Sequence, residues 1–280
     1  MTIPSWLVTA ALVVFVVSSM LSIGLVVQGA AIAAPLRRPA WVGRALVANF
    51  VLPPVAALAL AALLPLDPAY ELGLLLIAFA AGAPFLPKLA EIGGADVAVA
   101  TSLMVLLMTG SIVAMPLALP ALAPGLQFDP WRIASPLVVL MLSPLLFGMV
   151  VRRVAPGVAA RVQPVAAKLS NVGFLCVVLL VCLKNLPSLL AVLGSGAIGV
   201  AVLFVAVLLG GAYLLGESAG EGRRLLGYAT AGRNIGAALV TAEASAVEPK
   251  VIVMLIVTGV VGLALLLPIA AYARRHRITG

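Results

Sequence analysis

The sequence predicts an all-α polytopic membrane protein, and three observations carry the prediction. Hydrophobic residues fill 64% of the 280 positions and charged residues only 9%. The mean hydropathy of +1.26 lies far above that of soluble globular domains. Apolar runs about as long as one bilayer crossing, roughly 20 residues, follow one another with short polar breaks. Helices carry these runs: 202–215 (VLFVAVLLGGAYLL) is apolar on every face, where a membrane barrel would alternate residue by residue.

Taken in order, the spans fall at about 5–27, 41–64, 70–91, 95–122, 132–154, 165–186, 189–215, 221–247 and 249–273, about nine crossings in one transport domain covering 1–280. No Lys or Arg precedes Arg37, so the first segment lacks the basic start of a cleaved signal peptide and is expected to remain as a helix. The second carries Asn49 at membrane depth, followed by Pro53 and Pro54. The third contains GAPFLPK (82–88), whose Pro84 and Pro87 remove backbone donors and clash with the preceding turn, which predicts a broken helix. The sixth holds both cysteines, Cys176 and Cys182, on different helix faces, so core packing is expected rather than a disulfide or a metal pair. The eighth contains ATAGRNIG (229–236), where Gly232 and Gly236 weaken the helix. The last runs into the tail RRHR with the single histidine, His276, so no histidine chemistry or metal site is expected within the membrane.

The net charge of +8 would suit nucleic acid only on a water-exposed domain, and the spans leave no room for one. The charges instead report orientation. One set of loops holds Arg37, Arg38, Arg44, Arg152, Arg153, Arg161, Lys168, Arg223, Arg224, Arg274, Arg275 and Arg277, twelve of the 17 basic residues. The other set holds Arg132, Lys184 and Lys250. This places the N-terminus outside and the C-terminus in the cytoplasm, with 217–224 (ESAGEGRR) as a solvated cytoplasmic loop.

The two remaining cations, Lys88 and Arg233, fall within spans three and eight. Those spans run in opposite directions, the relation expected of an inverted-topology repeat with paired interrupted helices. A charge at the bilayer centre costs about 2.5–3.5 kcal/mol, so such residues are usually kept for a pathway or a ligand. Lys88 lies near Glu91 and Asp96 and could instead snorkel to the interface from a span that ends early. Arg233, followed by the apolar stretch 235–242, is harder to place outside the membrane. Broken helices expose amides and carbonyls, and two such breaks with two cations and Asn234 favour an organic anion over a cation or a neutral sugar.

The blocks GAPFLPKLAEIGGADVAVATSLMVLLMTGSIVAMPLALP (82–120) and GYATAGRNIGAAL (227–239) resemble the bile acid:sodium symporter superfamily. The resemblance extends from about Trp6 to the last span and implies a nine-helix form of a bacterial inner-membrane transporter with two discontinuous helices crossing at its centre. It implies core helices at about 41–122 and 189–273, panel helices at about 5–27 and 132–186, and alternating access with substrate between the two. It also implies that the sodium ligands are replaced. Leu86 and Pro87, followed by Lys88, stand where a hydroxyl residue and an asparagine are usual. Ala229 and Arg233 stand in place of a glutamate and a glutamine, Asn234 is kept, Ala100 and Met104 replace hydroxyl residues, and Asn49 matches a glutamine. On this resemblance Lys88 and Arg233 take the place of two sodium ions, and the site comprises Lys88, Arg233, Asn234, Asn49, Pro84, Pro87 and Gly232. Sodium coupling then gives way to proton coupling through Lys88 or to uniport.

Three alternatives stand beside this expectation: a sodium-coupled bile-acid-like symporter, an arsenite-type exporter, and a membrane enzyme or scaffold. The exporter resembles this fold but relies on a cysteine in the first break, and 82–88 has none. The enzyme would need an intramembrane histidine or an HExxH or GxSxG arrangement at membrane depth, and the spans hold none; no P-loop motif is present to support ATP-driven pumping. No cofactor is expected.

Overall fold

The apolar blocks of the sequence form helices, and the prolines decide where those helices begin and break. The computed structural model describes residues 4–27, 37–122, 129–184, 186–216 and 221–277, and among these there is no strand. In chain order the helices are α1 (Ser5–Gly24), α2 (Pro39–Phe50), α3 (Leu52–Leu63), α4 (Pro68–Phe79), α5 (Leu86–Ile92), α6 (Val97–Leu122) and α7 (Pro130–Leu137). They continue as α8 (Ser143–Val154), α9 (Pro156–Lys184), α10 (Leu186–Val192), α11 (Ala197–Leu215), α12 (Glu221–Ala231), α13 (Ile235–Ala244) and α14 (Pro249–Arg277). Residues 217–220 of the loop expected at 217–224 lie outside the described residues.

Among the described residues, seven stretches are long and apolar enough to cross a membrane: Ser5–Gly24, Pro39–Leu63, Val97–Leu122, Pro130–Val154, Pro156–Lys184, Ala197–Leu215 and Pro249–Arg275. The chain is therefore an all-α polytopic membrane protein. The other two expected spans, 70–91 and 221–247, are each split into two short helices, α4 with α5 and α12 with α13. The sixth span begins earlier than its apolar pattern suggests, because Pro156 sits at the first helical position, where its missing N–H costs nothing. Between α7 and α8 a π-turn covers Val138–Leu142. Ser143 and Pro144 follow it, and the Ser143 hydroxyl donates to Val138 O at 3.0 Å across this irregular turn.

Helix α1 packs along α9 and α8, while α14 packs on α4 and α11, and α11 on α12 and α3. Helix α13 meets α7 and α1, which joins the two groups. With little hydrophobic force available inside lipid, close backbone approach holds such contacts. At the α1–α8 crossing a Cβ on Gly24 would lie only 2.2 Å from Leu145 O, so the approach requires glycine. Leu74, Leu76, Ile77, Leu103, Leu107 and Phe204 are wholly buried, which centres the core on α4, α6 and α11 around the two breaks. Leu117, Phe147, Leu175 and Leu214 are exposed, as side chains facing lipid are.

A candidate charged crossing of two broken helices

Helix α4 ends at Phe79, and the chain resumes as α5 at Leu86 with Pro87 in its first turn. Pro84 lies in the gap, and Gly82 adopts φ +76°, a left-handed conformation that turns the chain there. The second gap is shorter: α12 ends at Ala231 and α13 begins at Ile235. The two gaps are bonded to each other. Asn234 N donates to Ala80 O at 2.7 Å, and Asn234 Nδ2 donates to Gly82 O at 3.1 Å. Asn234 Oδ1 accepts from Ala237 N at 3.0 Å, so the same side chain caps α13.

Arg233 is 3% exposed, and its guanidinium lies among oxygens of three chain segments. Nε donates to Ile77 O at 3.1 Å. One terminal nitrogen donates to Asn49 Oδ1 at 3.2 Å and Thr230 O at 3.3 Å, and the other to Asn49 O at 3.4 Å and Ala78 O at 2.5 Å. A guanidinium has five N–H groups, so these five contacts engage all of them.

The acceptors are available for local reasons. Asn49 O would serve the amide four residues on, but that residue is Pro53. Ala78 O is left over because α4 ends one residue later. Thr230 O would accept from Asn234 N, which is instead given to Ala80 O. The prolines and the breaks thus strip helical carbonyls of their usual partners, and Arg233 satisfies them together. All five acceptors are neutral, so the cluster carries a positive charge with no carboxylate bonded to it.

Asn49 is wholly buried and also donates Nδ2 to Ala45 O at 3.0 Å and Thr230 Oγ1 at 3.1 Å. Gly232 lies in the second gap, where a Cβ would come 3.3 Å from the Phe85 ring and 2.6 Å from Tyr228 O. Pro84 and Pro87 are half-buried at the first gap.

The structure does not bring Lys88 into this cluster, which corrects the expectation of two cations side by side. Lys88 has a side chain 66% exposed, and its amine lies 2.8 Å from Glu91. The i,i+3 spacing on α5 puts a carboxylate beside the amine on the open face of that short helix.

Two polar residues that sequence reasoning passed over complete the crossing. Ser111 of α6 accepts from Ala81 N at 2.8 Å and lies 3.0 Å from Phe79 O, bridging the first gap from outside. Thr230 joins Asn49 to the second gap. Both were visible as polar residues at membrane depth, but only their neighbours in space distinguish them from ordinary helix serines and threonines.

A separate pocket of about 600 Å³ opens at the ends of α3, α4, α6 and α14, lined among others by Asp67, Glu71 and Glu248. None of the Arg233 cluster lines it. Lys250 donates to Asp67 there at 2.5 Å, and this bond, with that from Ala69 N, holds the Asp67 carboxyl below its ordinary range.

A family model described as Sodium Bile acid symporter family matches residues 12–192, from within α1 to the end of α10. The matched stretch includes Asn49, Pro84, Pro87 and Lys88, while Gly232, Arg233 and Asn234 lie beyond it. No curated protein matches the sequence. The match spans well over half of the 280 residues, and by that measure the protein belongs to the sodium bile acid symporter family.

Proposed function

We propose that this protein moves an organic anion across the bacterial cytoplasmic membrane by alternating access, without sodium. The family is one of secondary transporters of the bile-acid and organic-anion type, and the chain is a multi-pass membrane protein. In this reading the seven full spans and the two broken ones make nine crossings in an inverted repeat, with the N-terminus outside. Helices α2–α6 and α10–α14 form the core, and α1 with α7–α9 the panel.

The observation that carries the sodium-free reading is the guanidinium of Arg233 among five neutral oxygens. Carbonyl and amide oxygens converging at one buried point are the ligand set of a hard cation. Here a side chain supplies the positive charge permanently, because arginine does not release its proton. With every N–H engaged, Arg233 offers a substrate its field and no hydrogen bond. The contact with the anion then falls to Lys88, whose amine has donors beyond the one given to Glu91. Exposure and the Glu91 partner remove the burial on which a proton-carrying Lys88 depended, so uniport is the preferred form.

The test is uptake of labelled bile acids and keto acids into proteoliposomes, with sodium or choline as the external cation. Uptake equal in the two cations, and reduced at least tenfold by Lys88→Ala, is the expected result. Stability of that variant is expected to change by less than about 1 kcal/mol, the usual range for an exposed ion pair. Uptake that requires sodium and tolerates Lys88→Ala would overturn the reading.

A further inference from the structure

We infer that transport is driven by the membrane potential and runs outward in a cell that is negative inside. This rests on the sodium-free reading above and extends it to the energy source and the direction. Arg233 is bonded into Asn49 of α2, into the end of α4 and into Thr230 of α12. Its positive charge is thus fixed to the crossing, present whether or not substrate is bound, and neutral groups satisfy all its donors.

The consequence follows by counting charge over one cycle. A mobile cation entering the crossing would travel with the anion and offset its charge. A covalently held cation stays with the protein and returns with it, so it contributes nothing to the net charge moved. With a monovalent anion bound, the crossing and its cargo are together neutral. After release the crossing carries one positive charge. The sum over a complete cycle is one negative charge transferred, and the empty carrier's return is the step that moves charge through the field. A unit charge gains free energy in proportion to the potential, so an inside-negative membrane expels the anion and opposes its uptake. The ordinary cellular potential is then sufficient for export, with no ion gradient to spend.

Proteoliposomes clamped by valinomycin and a tenfold potassium gradient test this, with taurocholate as a permanently charged probe, pyruvate as a small one, and protein-free vesicles as the background. With potassium high inside, so that the lumen is negative, the probe is expected to settle at about a tenfold lower concentration inside than outside. Inverting the gradient is expected to give about tenfold accumulation, since one unit charge follows the same gradient as potassium with opposite sign. Transport in sodium-free medium that ignores the potential would overturn this inference, marking an electroneutral exchange or a proton that travels with the anion, and would leave the sodium-free reading standing. Accumulation favoured by a negative lumen and abolished without sodium would overturn both. Movement of neither probe above background would overturn the organic-anion reading itself.

Discussion

Replacing Arg233 by alanine is expected to lower the melting temperature of the detergent-solubilised protein by about 5 °C or more and to cut transport at least tenfold. Two effects compete. Removing a buried charge returns the roughly 2.5–3.5 kcal/mol that a membrane charge costs. Against this, four buried acceptors lose their donor at once, Ile77 O alone keeping a second bond from Ala80 N, each at about 1–3 kcal/mol. Even the low end of that range exceeds the gain, so a net loss of a few kcal/mol is expected. At about 2–4 °C per kcal/mol for a chain somewhat smaller than this one, a shift of that size is readily measured. Arg233→Lys should fall between wild type and alanine, because three donors cannot serve five acceptors. Millimolar guanidinium should raise the melting temperature of Arg233→Ala and leave wild type unmoved, since only the variant has an empty cage of the right shape. An alanine variant that melts and transports like wild type would show that the cluster bears no part of the fold or the function.

Gly82→Ala is expected to prevent the crossing from closing, seen as loss of the monodisperse peak on size exclusion and of all uptake. The new Cβ would lie 2.3 Å from Met108 N and 2.7 Å from Met104 O, both backbone atoms of α6 that cannot rotate away. The left-handed φ of +76° adds a further cost of about 1–2 kcal/mol. Gly82 O would also be drawn away from Asn234 Nδ2, so the two gaps would lose one of the bonds between them. Gly94→Ala supplies the control. Gly94 is also left-handed, at φ +65°, but a Cβ there meets only Arg274 Cγ at 3.7 Å. That variant should fold and transport with a modest loss of stability. Equal behaviour of the two would mean that backbone conformation, and not the approach to α6, decides the effect.

These two positions mark how far the sequence could be read. Arg233 was legible because a charge beside an apolar stretch at membrane depth is costly wherever the rest of the chain goes. Gly82 was quoted within its motif but not singled out, because its requirement comes from α6, more than twenty residues away in the chain. Asn49, Pro53 and Pro54 were each visible at membrane depth. That Pro53 frees the Asn49 carbonyl for a guanidinium from the far end of the chain was not visible.

Composition, the lengths of the apolar runs, the break at Pro84 and Pro87 and the buried charge of Arg233 were determined by the sequence alone, because each rests on local sterics or on transfer from water to lipid. The tertiary structure decided the rest. It put Lys88 on an exposed face beside Glu91, recruited Ser111 and Thr230, and bonded the two gaps through Asn234. A hydrogen-bond partner at membrane depth is chosen by whichever segments meet there, and a linear pattern of apolar and polar residues does not encode that meeting.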